Sequence, residues 1–286
     1  MPGFRPELVG SLSEGAQGNP TGVMMEAAFA HHRIDARYVN VEVAATDLAA
    51  AVAGARAMGF VGCNVSMPHK VSVIAHVDGL APSAAAIGAV NCVIRRGGEL
   101  VGENTDGIGF LRSLQSVRDP KGARVVLLGS GGAARAIAVE LVRAGAASIT
   151  VVNRTPARGQ KLAAALYEHL GFAAMVEPWP GVHRPAPGTD VVVNATSVGL
   201  FAPHAMVPVD LASLAPGAVV ADVVYNPVVT RLLREAARVG ARPLDGLGML
   251  VHQGAAAVQR WFGIEPDTAV MRTALESAMQ AYQSPA

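Results

Sequence analysis

The chain has 286 residues, 51% of them hydrophobic, which is enough for two modest domains with cores that need no disulfide bonds. Its formal net charge of +1 argues against a nucleic-acid groove or an anionic membrane surface as the partner. With two cysteines, no apolar run of about 18 residues and no signal-peptide segment, we expect a cytoplasmic protein without a membrane helix. We expect a monomer or a homodimer that acts on a small molecule.

The first part of the chain alternates short apolar runs with longer amphipathic ones, as is typical of βαβ units. Predicted strands span residues 7–10, 37–43 and 60–65, and residues 90–95 and 99–102 form a predicted hairpin around Gly97-Gly98. Predicted helices span residues 21–32, 47–58, with Thr46 as N-cap, and 105–117, with Asp106 near its start. Pro68 starts a predicted short helix that has Lys70 in its first turn.

A second βαβ series follows the turn signal Asp119-Pro120-Lys121-Gly122. Its predicted strands span residues 124–128, 148–152, 189–193 and 218–224. Its predicted helices span residues 133–144, 156–170 and 230–239, and the proline-rich residues 178–188 form a predicted loop. Two more predicted helices, at 247–262 and 267–282, follow this series. The alternation predicts an α/β fold with a mostly parallel sheet.

A glycine-rich loop joins the first strand of the second series to its first helix. Gly129, Gly131 and Ala134 fit the G-x-G-x-x-G/A pattern, with Gly132 and Ala133 between them, in the strand-to-helix context that this pattern requires. The glycines let backbone approach a pyrophosphate, and the helix N-terminus offers unpaired N–H groups. The loop therefore predicts nucleotide binding, and the alternative is a glycine turn between packed elements.

The end of the next strand indicates which nicotinamide cofactor binds. An NAD enzyme usually has an acidic residue there for the ribose 2′-hydroxyl. This chain has Asn153-Arg154-Thr155 instead, with Arg158 one turn further on. Because guanidinium groups match a phosphate with paired hydrogen bonds, we expect NADP, with NAD as the weaker candidate. The alternative is that both arginines are solvated charges at a helix end.

Lys70 lies in the polar string of residues 64–70, and Asp106 lies in the polar string of residues 103–107. The two side chains can act together in acid–base chemistry. Oxidation of a secondary alcohol needs a base for the hydroxyl proton, and the reverse reaction needs an acid. A helix N-terminus would lower the pKa of Lys70, and a carboxylate at Asp106 would raise it. Together with the glycine-rich nucleotide loop, the two strings predict an oxidoreductase that acts on an alcohol or a ketone, and the alternative is that Lys70 and Asp106 form a structural ion pair. No His/Cys cluster has metal-ligand spacing, so no metal is expected.

Seven short strings, in order along the chain, resemble those of the shikimate dehydrogenase family. They are NVSMPHK at 64–70, AVNC at 89–92, ENTDG at 103–107, GSGGAA at 129–134, NRT at 153–155, NATSVG at 194–199 and YNP at 225–227. The resemblance implies an N-terminal α/β substrate domain over residues 1–104, completed by C-terminal helices at 248–286, and a Rossmann NADP-binding domain over residues 105–247. It implies reversible hydride transfer between NADP(H) and shikimate/3-dehydroshikimate, a step of aromatic amino acid biosynthesis.

The resemblance also implies roles for individual residues. Lys70 and Asp106 are the implied catalytic pair. The implied substrate-binding residues are Ser11, Ser13, Asn19, Thr21, Asn64, Ser66, Asn91, Tyr225 and Gln253. The cofactor-binding residues are Gly129, Gly131, Gly132, Ala133, Asn153, Arg154, Thr155, Arg158, Thr196, Gly246 and Met249.

The S-x-S-P motif, with which the family binds the substrate carboxylate, has no direct counterpart near the N-terminus. In one alignment Ser11 and Ser13 are the two serines and a loop is inserted. In the other, Gln17 and Asn19 replace the serines before Pro20. Both alignments offer hydrogen-bond donors that can bind a substrate carboxylate. Quinate (with NADP or NAD), an aminated shikimate analogue, another hydroxy acid, and a non-catalytic nucleotide- or metabolite-binding regulator are the open alternatives.

Overall fold

The structure is a computed structural model that describes residues 4–283. It divides into two compact units, Met1–Thr105 with Gln253–Ala286, and Asp106–His252. Each unit holds its own six-stranded sheet with helices, which confirms the predicted α/β class. Within the described residues, no helix is both long and apolar enough to span a membrane.

The sheet of the first unit is mixed. Its strands are β1 (Glu7–Ser13), β2 (Ala36–Glu42), β3 (Gly62–Val65), β4 (Gly79–Leu80), β5 (Cys92–Arg96) and β6 (Glu99–Glu103). They lie in the order β2-β1-β3-β5-β6-β4, with β1 parallel to β2 and β3 and with β5 antiparallel to β3 and β6. Gly97 and Gly98 have φ angles of 57° and 92°, and they make the tight turn of the predicted hairpin, which is confirmed.

Helices cover this sheet. They are α1 (Thr21–His32), α2 (Leu48–Met58), α3 (Pro82–Ile87), α9 (Thr268–Gln283) and the later part of α8 (Gly246–Phe262), because the division between the units falls within α8. Short 3-10 segments span Ala16–Gly18, Ala45–Asp47 and Ser72–His76. Helix α1 packs against α9 and β2.

The alternation along β1 separates an apolar face of the sheet from a polar one. Leu12 belongs to a buried core with Val65 and Val93. The neighbouring Ser11 points to the opposite face, in register with Asn40 on β2 and Asn64 on β3. These three polar side chains therefore form one row across three parallel strands.

Helix α8 contacts the sheet through Trp261. Its indole Nε1 donates a hydrogen bond to the Val93 carbonyl oxygen at 3.0 Å. A Cβ added to Gly62 would lie 2.1 Å from that nitrogen, so only a glycine leaves room for the indole. This contact holds the part of α8 that belongs to the first unit, which begins at Gln253, against the sheet.

Two elements of the first unit were not predicted, and one cap was predicted wrongly. Strand β4 and helix α3 are too short, at two and six residues, for their periodicity to show in the sequence. The N-cap of α2 is Asp47 and not Thr46, because a 3-10 turn over Ala45–Asp47 comes before the helix.

The predicted helix at Pro68 is also wrong. The Met67–Pro68 peptide bond is cis, and the His69 N–H donates to the Ser66 carbonyl oxygen at 2.8 Å, closing a turn. Regular structure resumes only with the 3-10 helix Ser72–His76. Lys70 therefore lies in a turn, and the positive potential of an α-helix N-terminus does not act on it.

The sheet of the second unit is entirely parallel. Its strands are β7 (Arg124–Leu128), β8 (Ser148–Asn153), β9 (Met175–Pro178), β10 (Val191–Asn194), β11 (Val219–Asp222) and β12 (Arg242–Leu244). They lie in the order β12-β11-β10-β7-β8-β9. The chain moves outward in one direction from β7 and in the other from β10. Ligands of such sheets bind at the carboxyl ends of the two strands where the direction changes.

The helices of the second unit are α4 (Asp106–Gln115), α5 (Gly132–Arg143), α6 (Pro156–Leu170) and α7 (Arg231–Arg238), with the first residues of α8. The bounds of α6 are those predicted, and Thr230 caps α7 by accepting from the Leu233 N–H. Helices α4 and α5 approach closely, since a Cβ on Gly107 would lie 2.3 Å from the Ala136 carbonyl oxygen. Strands β9 and β12 are short edge strands that the sequence analysis missed.

Candidate active site

The glycine loop lies at the switch point of the second sheet, directly after β7. Gly129 has a φ of 105°, and a Cβ there would be 3.0 Å from Thr196 Cγ2. A Cβ on Gly131 or Gly132 would meet no described atom within 4 Å. Ala133 follows in the first turn of α5, whose N-terminal N–H groups have no partners within the helix. Open space against such N–H groups fits the pyrophosphate of a dinucleotide.

The end of β8 carries the residues predicted to choose the cofactor. Asn153 is the last residue of β8, and its Nδ2 donates to the Thr155 carbonyl oxygen at 2.8 Å, which shapes the turn into α6. Arg154, Thr155 and Arg158 are exposed. Residues 153–158 contain these two arginines and no acidic residue. The arrangement suits an additional phosphate on the ribose, which guanidinium groups bind and a carboxylate would repel.

A buried hydrogen-bond network supports the loop after β10, which carries Thr196. Asn194 Oδ1 accepts from the Thr196 N–H at 3.1 Å and from Thr196 Oγ1 at 2.7 Å. Asn194 Nδ2 donates to Asp222 Oδ1 at 2.9 Å, and Thr230 Oγ1 donates to Asp222 Oδ2 at 2.7 Å. The network links the ends of β10 and β11 to the start of α7, so it holds Thr196 beside Gly129.

Asp222 is a residue of this region that the sequence analysis missed. It is 2% exposed, and burial raises the pKa of its carboxyl group, while hydrogen bonds from Thr230, the Val224 N–H and Asn194 counteract that rise. Its only signal in the sequence was a single acidic residue at the end of the apolar run 218–221. That signal did not reveal its partner Asn194, which is 28 residues away.

Tyr225, Gly246 and Met249 all belong to the second unit. Tyr225 is half-buried, and its ring lies edge-on to Phe201, with ring centroids 6.5 Å apart. Gly246 begins α8, and a Cβ there would be 2.5 Å from the Val224 carbonyl oxygen. The start of α8 therefore approaches the end of β11, and half-buried Met249 follows in the first turn.

The first unit holds a buried cluster of amide side chains. Asn91 Nδ2 donates to Thr105 Oγ1 at 3.0 Å and to Gln253 Oε1 at 3.4 Å, and Asn91 Oδ1 accepts from the Thr105 N–H at 2.7 Å. Asn64 Oδ1 accepts from Tyr38 Oη at 2.9 Å, and Asn64 Nδ2 donates to the Asn91 carbonyl oxygen at 3.3 Å. The structure thus brings together Asn64, Asn91 and Gln253, which are distant in sequence.

Lys70 lies next to this cluster. The Val90 N–H donates to the Lys70 carbonyl oxygen at 2.8 Å, so the turn that carries Lys70 is bound to the segment that carries Asn91. Lys70 is half-buried, and Ser66, also half-buried, begins the same turn. His69 is fully buried, with Nε2 2.8 Å from the Val43 carbonyl oxygen, and it anchors the turn to the end of β2.

The two predicted catalytic residues fall in different units. Lys70 belongs to the first unit, whereas Asp106 is the first residue of both α4 and the second unit, and its side chain is buried. No group of three or more His, Cys, Asp or Glu side chains among the described residues could hold a metal ion.

The N-terminal segment brings together one residue from each alternative for the carboxylate motif, Ser11 and Asn19. Asn19 Nδ2 donates to Ser11 Oγ at 3.2 Å, and Ser11 Oγ donates to Asn40 Oδ1 at 2.9 Å. Asn19 Oδ1 accepts from the N–H of buried Thr21 at 3.0 Å. Ser13 is buried at the end of β1, and its hydroxyl has no hydrogen-bond partner among the described residues. Ser11 and Asn19 therefore share one site.

Comparison with known families agrees with this geometry. Residues 20–93 match the model described as the shikimate dehydrogenase substrate binding domain, residues 113–205 match shikimate/quinate 5-dehydrogenase, and residues 246–276 match the shikimate 5-dehydrogenase C-terminal domain. The first of these matches begins after Asn19, so it leaves the segment with Ser11, Gln17 and Asn19 outside.

Individual relatives cover almost the whole chain. Shikimate dehydrogenase (NADP(+)) of Moorella thermoacetica is 43% identical over 283 residues, which span 96% of this chain and 94% of that protein. The ligand-free structure of 5-ketofructose reductase of Gluconobacter sp. strain CHM43 is 51% identical, with a TM-score of 0.93 over 96% of this chain and 100% of that one. Shikimate 5-dehydrogenase of Thermus thermophilus, in complex with NADP(H) and shikimate, is 34% identical, with a TM-score of 0.84 over 95% and 99% of the two chains. Sequence strings, two-sheet fold and full-length relatives agree that this chain belongs to the shikimate dehydrogenase family.

Proposed function

We propose that the chain is an NADP-dependent oxidoreductase that transfers hydride reversibly between NADP(H) and a carbinol of a small polyhydroxylated molecule. The observation that carries this proposal is the crevice after β7, where open space over Gly131 and Gly132 meets the N-terminus of α5. The first candidate substrate pair is shikimate/3-dehydroshikimate, because the curated relatives, at about 40% identity, are shikimate dehydrogenases. That reaction belongs to aromatic amino acid biosynthesis.

The second unit is the part that we assign to the cofactor. Gly129 to Ala133 hold the pyrophosphate, and Thr196, placed by Asn194, borders the same crevice. Arg154 and Arg158 bind the 2′-phosphate, with Asn153 and Thr155 shaping the turn between them. NADPH, when bound, supplies the hydride. Gly246 and Met249 are assigned to the nicotinamide end of the site.

The first unit is the part that we assign to the substrate. Asn64, Asn91 and Gln253 are amides that can pair with ring hydroxyl groups, and Ser66 and Thr21 add hydroxyls. In the direction of reduction, the carbonyl carbon gains the hydride and Lys70 donates a proton to the carbonyl oxygen. In the direction of oxidation, Lys70 accepts that proton. We assign Asp106 to this proton relay and to a substrate hydroxyl, and Tyr225 to the substrate.

A second candidate substrate is a neutral ketose. The observation that favours it is the 51% identical 5-ketofructose reductase, together with the absence of a direct S-x-S-P counterpart near the N-terminus. Both candidates use the same hydride chemistry and the same cofactor crevice. They differ in whether the substrate carries a carboxylate.

We further propose a cytoplasmic enzyme that works as a monomer or homodimer and without nucleic acid. Its near-neutral net charge and its two buried cysteines, Cys63 and Cys92, neither of which is in a disulfide bond, support this assignment. Size-exclusion chromatography with light scattering measures the oligomeric state.

The test follows the absorbance of reduced nicotinamide with purified protein. Shikimate and quinate are each tested with NADP+ and with NAD+, and 5-ketofructose is tested with NADPH and with NADH. We expect turnover with NADP(H) and at least one of these substrates. Binding of nucleotide without turnover of any of them, unchanged in Lys70→Ala, would indicate a non-catalytic regulator. A strong preference for NAD would contradict the role given to Arg154.

A further inference from the structure

A pocket with no basic residue in its lining lies between the N-terminal segment and β2. The cavity has a volume of about 530 Å³ and is lined by Gly15, Ala16, Gln17, Asn40 and Glu42. We call it the N-terminal pocket. The Glu14 N–H donates to the Met67 carbonyl oxygen at 3.3 Å, so the segment that forms the pocket is bound to the turn that carries Lys70.

Glu42 occupies the backbone donors of this pocket. Its Oε1 accepts from the Gly15 N–H at 2.8 Å and its Oε2 from the Ala16 N–H at 2.7 Å. These hydrogen bonds hold the pKa of the Glu42 carboxyl group below its usual range, so the group is ionised at neutral pH. Consecutive backbone N–H groups are donors that a substrate carboxylate could use. Here the chain's own carboxylate already binds them, and its charge repels a second carboxylate.

The remaining polar groups of the pocket are uncharged. Asn40 Nδ2 donates to the Asn19 carbonyl oxygen at 2.9 Å, and Asn40 Oδ1 accepts from Ser11 Oγ at 2.9 Å. Gln17 lines the cavity and is exposed, so its amide can turn toward a ligand. Amides and hydroxyls both donate and accept, which matches the hydroxyl and carbonyl groups of a sugar better than it matches an anion.

We infer that the N-terminal pocket binds the uncharged hydroxyl end of a polyhydroxylated ketone, and that the chain reduces such a neutral ketose in preference to an anionic ring such as 3-dehydroshikimate. The inference rests on the hydride transfer proposed above and chooses its second substrate candidate. Glu42 is the specificity-determining residue, and Gln17 and Asn40, which line the cavity, supply the neutral hydrogen bonds.

The experiment compares kcat/KM for 5-ketofructose and 3-dehydroshikimate, with saturating NADPH at low ionic strength. We expect the wild-type protein to prefer 5-ketofructose by at least about tenfold, which corresponds to about 1.4 kcal/mol. Glu42→Gln removes the charge and should move this ratio toward 3-dehydroshikimate by roughly tenfold, mainly through KM.

Glu14→Gln is the matched control. Glu14 is also exposed, and its Oε1 accepts from the Ala45 N–H at 3.2 Å, but it does not line the cavity. We expect it to change the ratio by less than about twofold. Circular dichroism and NADPH binding, which belongs to the other unit, show whether each variant is folded.

The outcomes separate the inference from the proposed function. A wild-type preference for 3-dehydroshikimate overturns the inference and leaves hydride transfer intact. An unchanged ratio in Glu42→Gln overturns the role of Glu42. If no carbonyl compound is reduced, the proposed function fails. The pocket is then tested by calorimetry, where tighter binding of shikimate than of 5-ketofructose overturns the inference and the reverse order supports it.

Discussion

The cofactor crevice of the second unit and the N-terminal pocket of the first are built in different ways. The crevice is defined by backbone: glycines without a side chain, strand ends at a switch point, and a helix N-terminus. The N-terminal pocket is defined by side chains, with Glu42 and Asn40 holding a short segment in place. The crevice follows the family pattern, whereas the segment of the pocket lies outside the family match. Backbone therefore sets the geometry of the cofactor crevice, and the substrate choice that we infer rests on the side chains of the N-terminal pocket.

The largest effect should come from Lys70, in the unit that we assign to the substrate. Lys70→Ala should lower kcat by on the order of 10²–10⁴, because the proton relay to the substrate oxygen is lost. Steady-state kinetics with saturating cofactor measures this, and Lys121→Ala, at an exposed lysine, is the control. A loss below about threefold would remove Lys70 from the mechanism.

Loss of the buried hydrogen-bond network around Asp222 should have the largest effect on the stability of the fold. Asp222→Ala should lower the free energy of unfolding by about 2–4 kcal/mol, since Asn194, Thr230 and the Val224 N–H lose a buried acceptor. Chemical denaturation measures the change, with exposed Asp119→Ala as the control. Wild-type stability in Asp222→Ala would mean that the network does not support the loop with Thr196.

Substitution of Arg154 tests directly whether the second unit selects NADP over NAD. Arg154→Ala should weaken NADP binding roughly 10- to 100-fold, as expected for one or two lost charge-assisted hydrogen bonds, and NAD binding less than about twofold. Calorimetric titration of both cofactors measures the two effects, and Arg143→Ala, at the end of α5, is the control. Equal losses for both cofactors would place Arg154 away from the 2′-phosphate.

Substitutions at two glycines of the same loop should distinguish the effect of backbone strain from the loss of space for the ligand. Gly129→Ala should lower stability by about 1–3 kcal/mol, because the residue has a φ of 105° and its Cβ would crowd Thr196. Gly131→Ala should leave stability unchanged and weaken NADP binding by about tenfold, because its Cβ would enter the space assigned to the pyrophosphate. Unchanged binding in Gly131→Ala would move the nucleotide away from this loop.

The smallest effect should be the pH dependence contributed by Glu42. Its pKa in the folded chain lies below the ordinary value of 4.5, so its stabilising contribution is present above that value and is lost as pH falls through the lower, folded-state pKa. Wild-type protein should therefore have a higher Tm than Glu42→Gln at neutral pH, and the difference should shrink below about pH 4. A difference that grows on acidification would contradict the hydrogen bonds to Gly15 and Ala16.

The sequence predicted the features that depend on local pattern and missed those that depend on distant partners. The strand–glycine–helix unit around Gly129 and the hairpin at Gly97-Gly98 were predicted because glycine itself reveals the required backbone. The helix at Pro68 was wrong because a proline can equally close a turn, and that depends on the packing of His69 against β2. Asn194 is 28 residues from its partner Asp222, and Gly15 and Ala16 are 27 and 26 residues from their partner Glu42, so no local pattern could show these hydrogen bonds.

Hydride transfer from the reduced cofactor to a substrate carbonyl can be followed directly with an isotope. The measurement uses NADPH deuterated at the transferable position, with 5-ketofructose and 3-dehydroshikimate as substrates, and mass spectrometry of the product. We expect one deuterium on the new carbinol carbon, with product formation lost in Lys70→Ala. Product without deuterium, or unchanged product formation in Lys70→Ala, would contradict it.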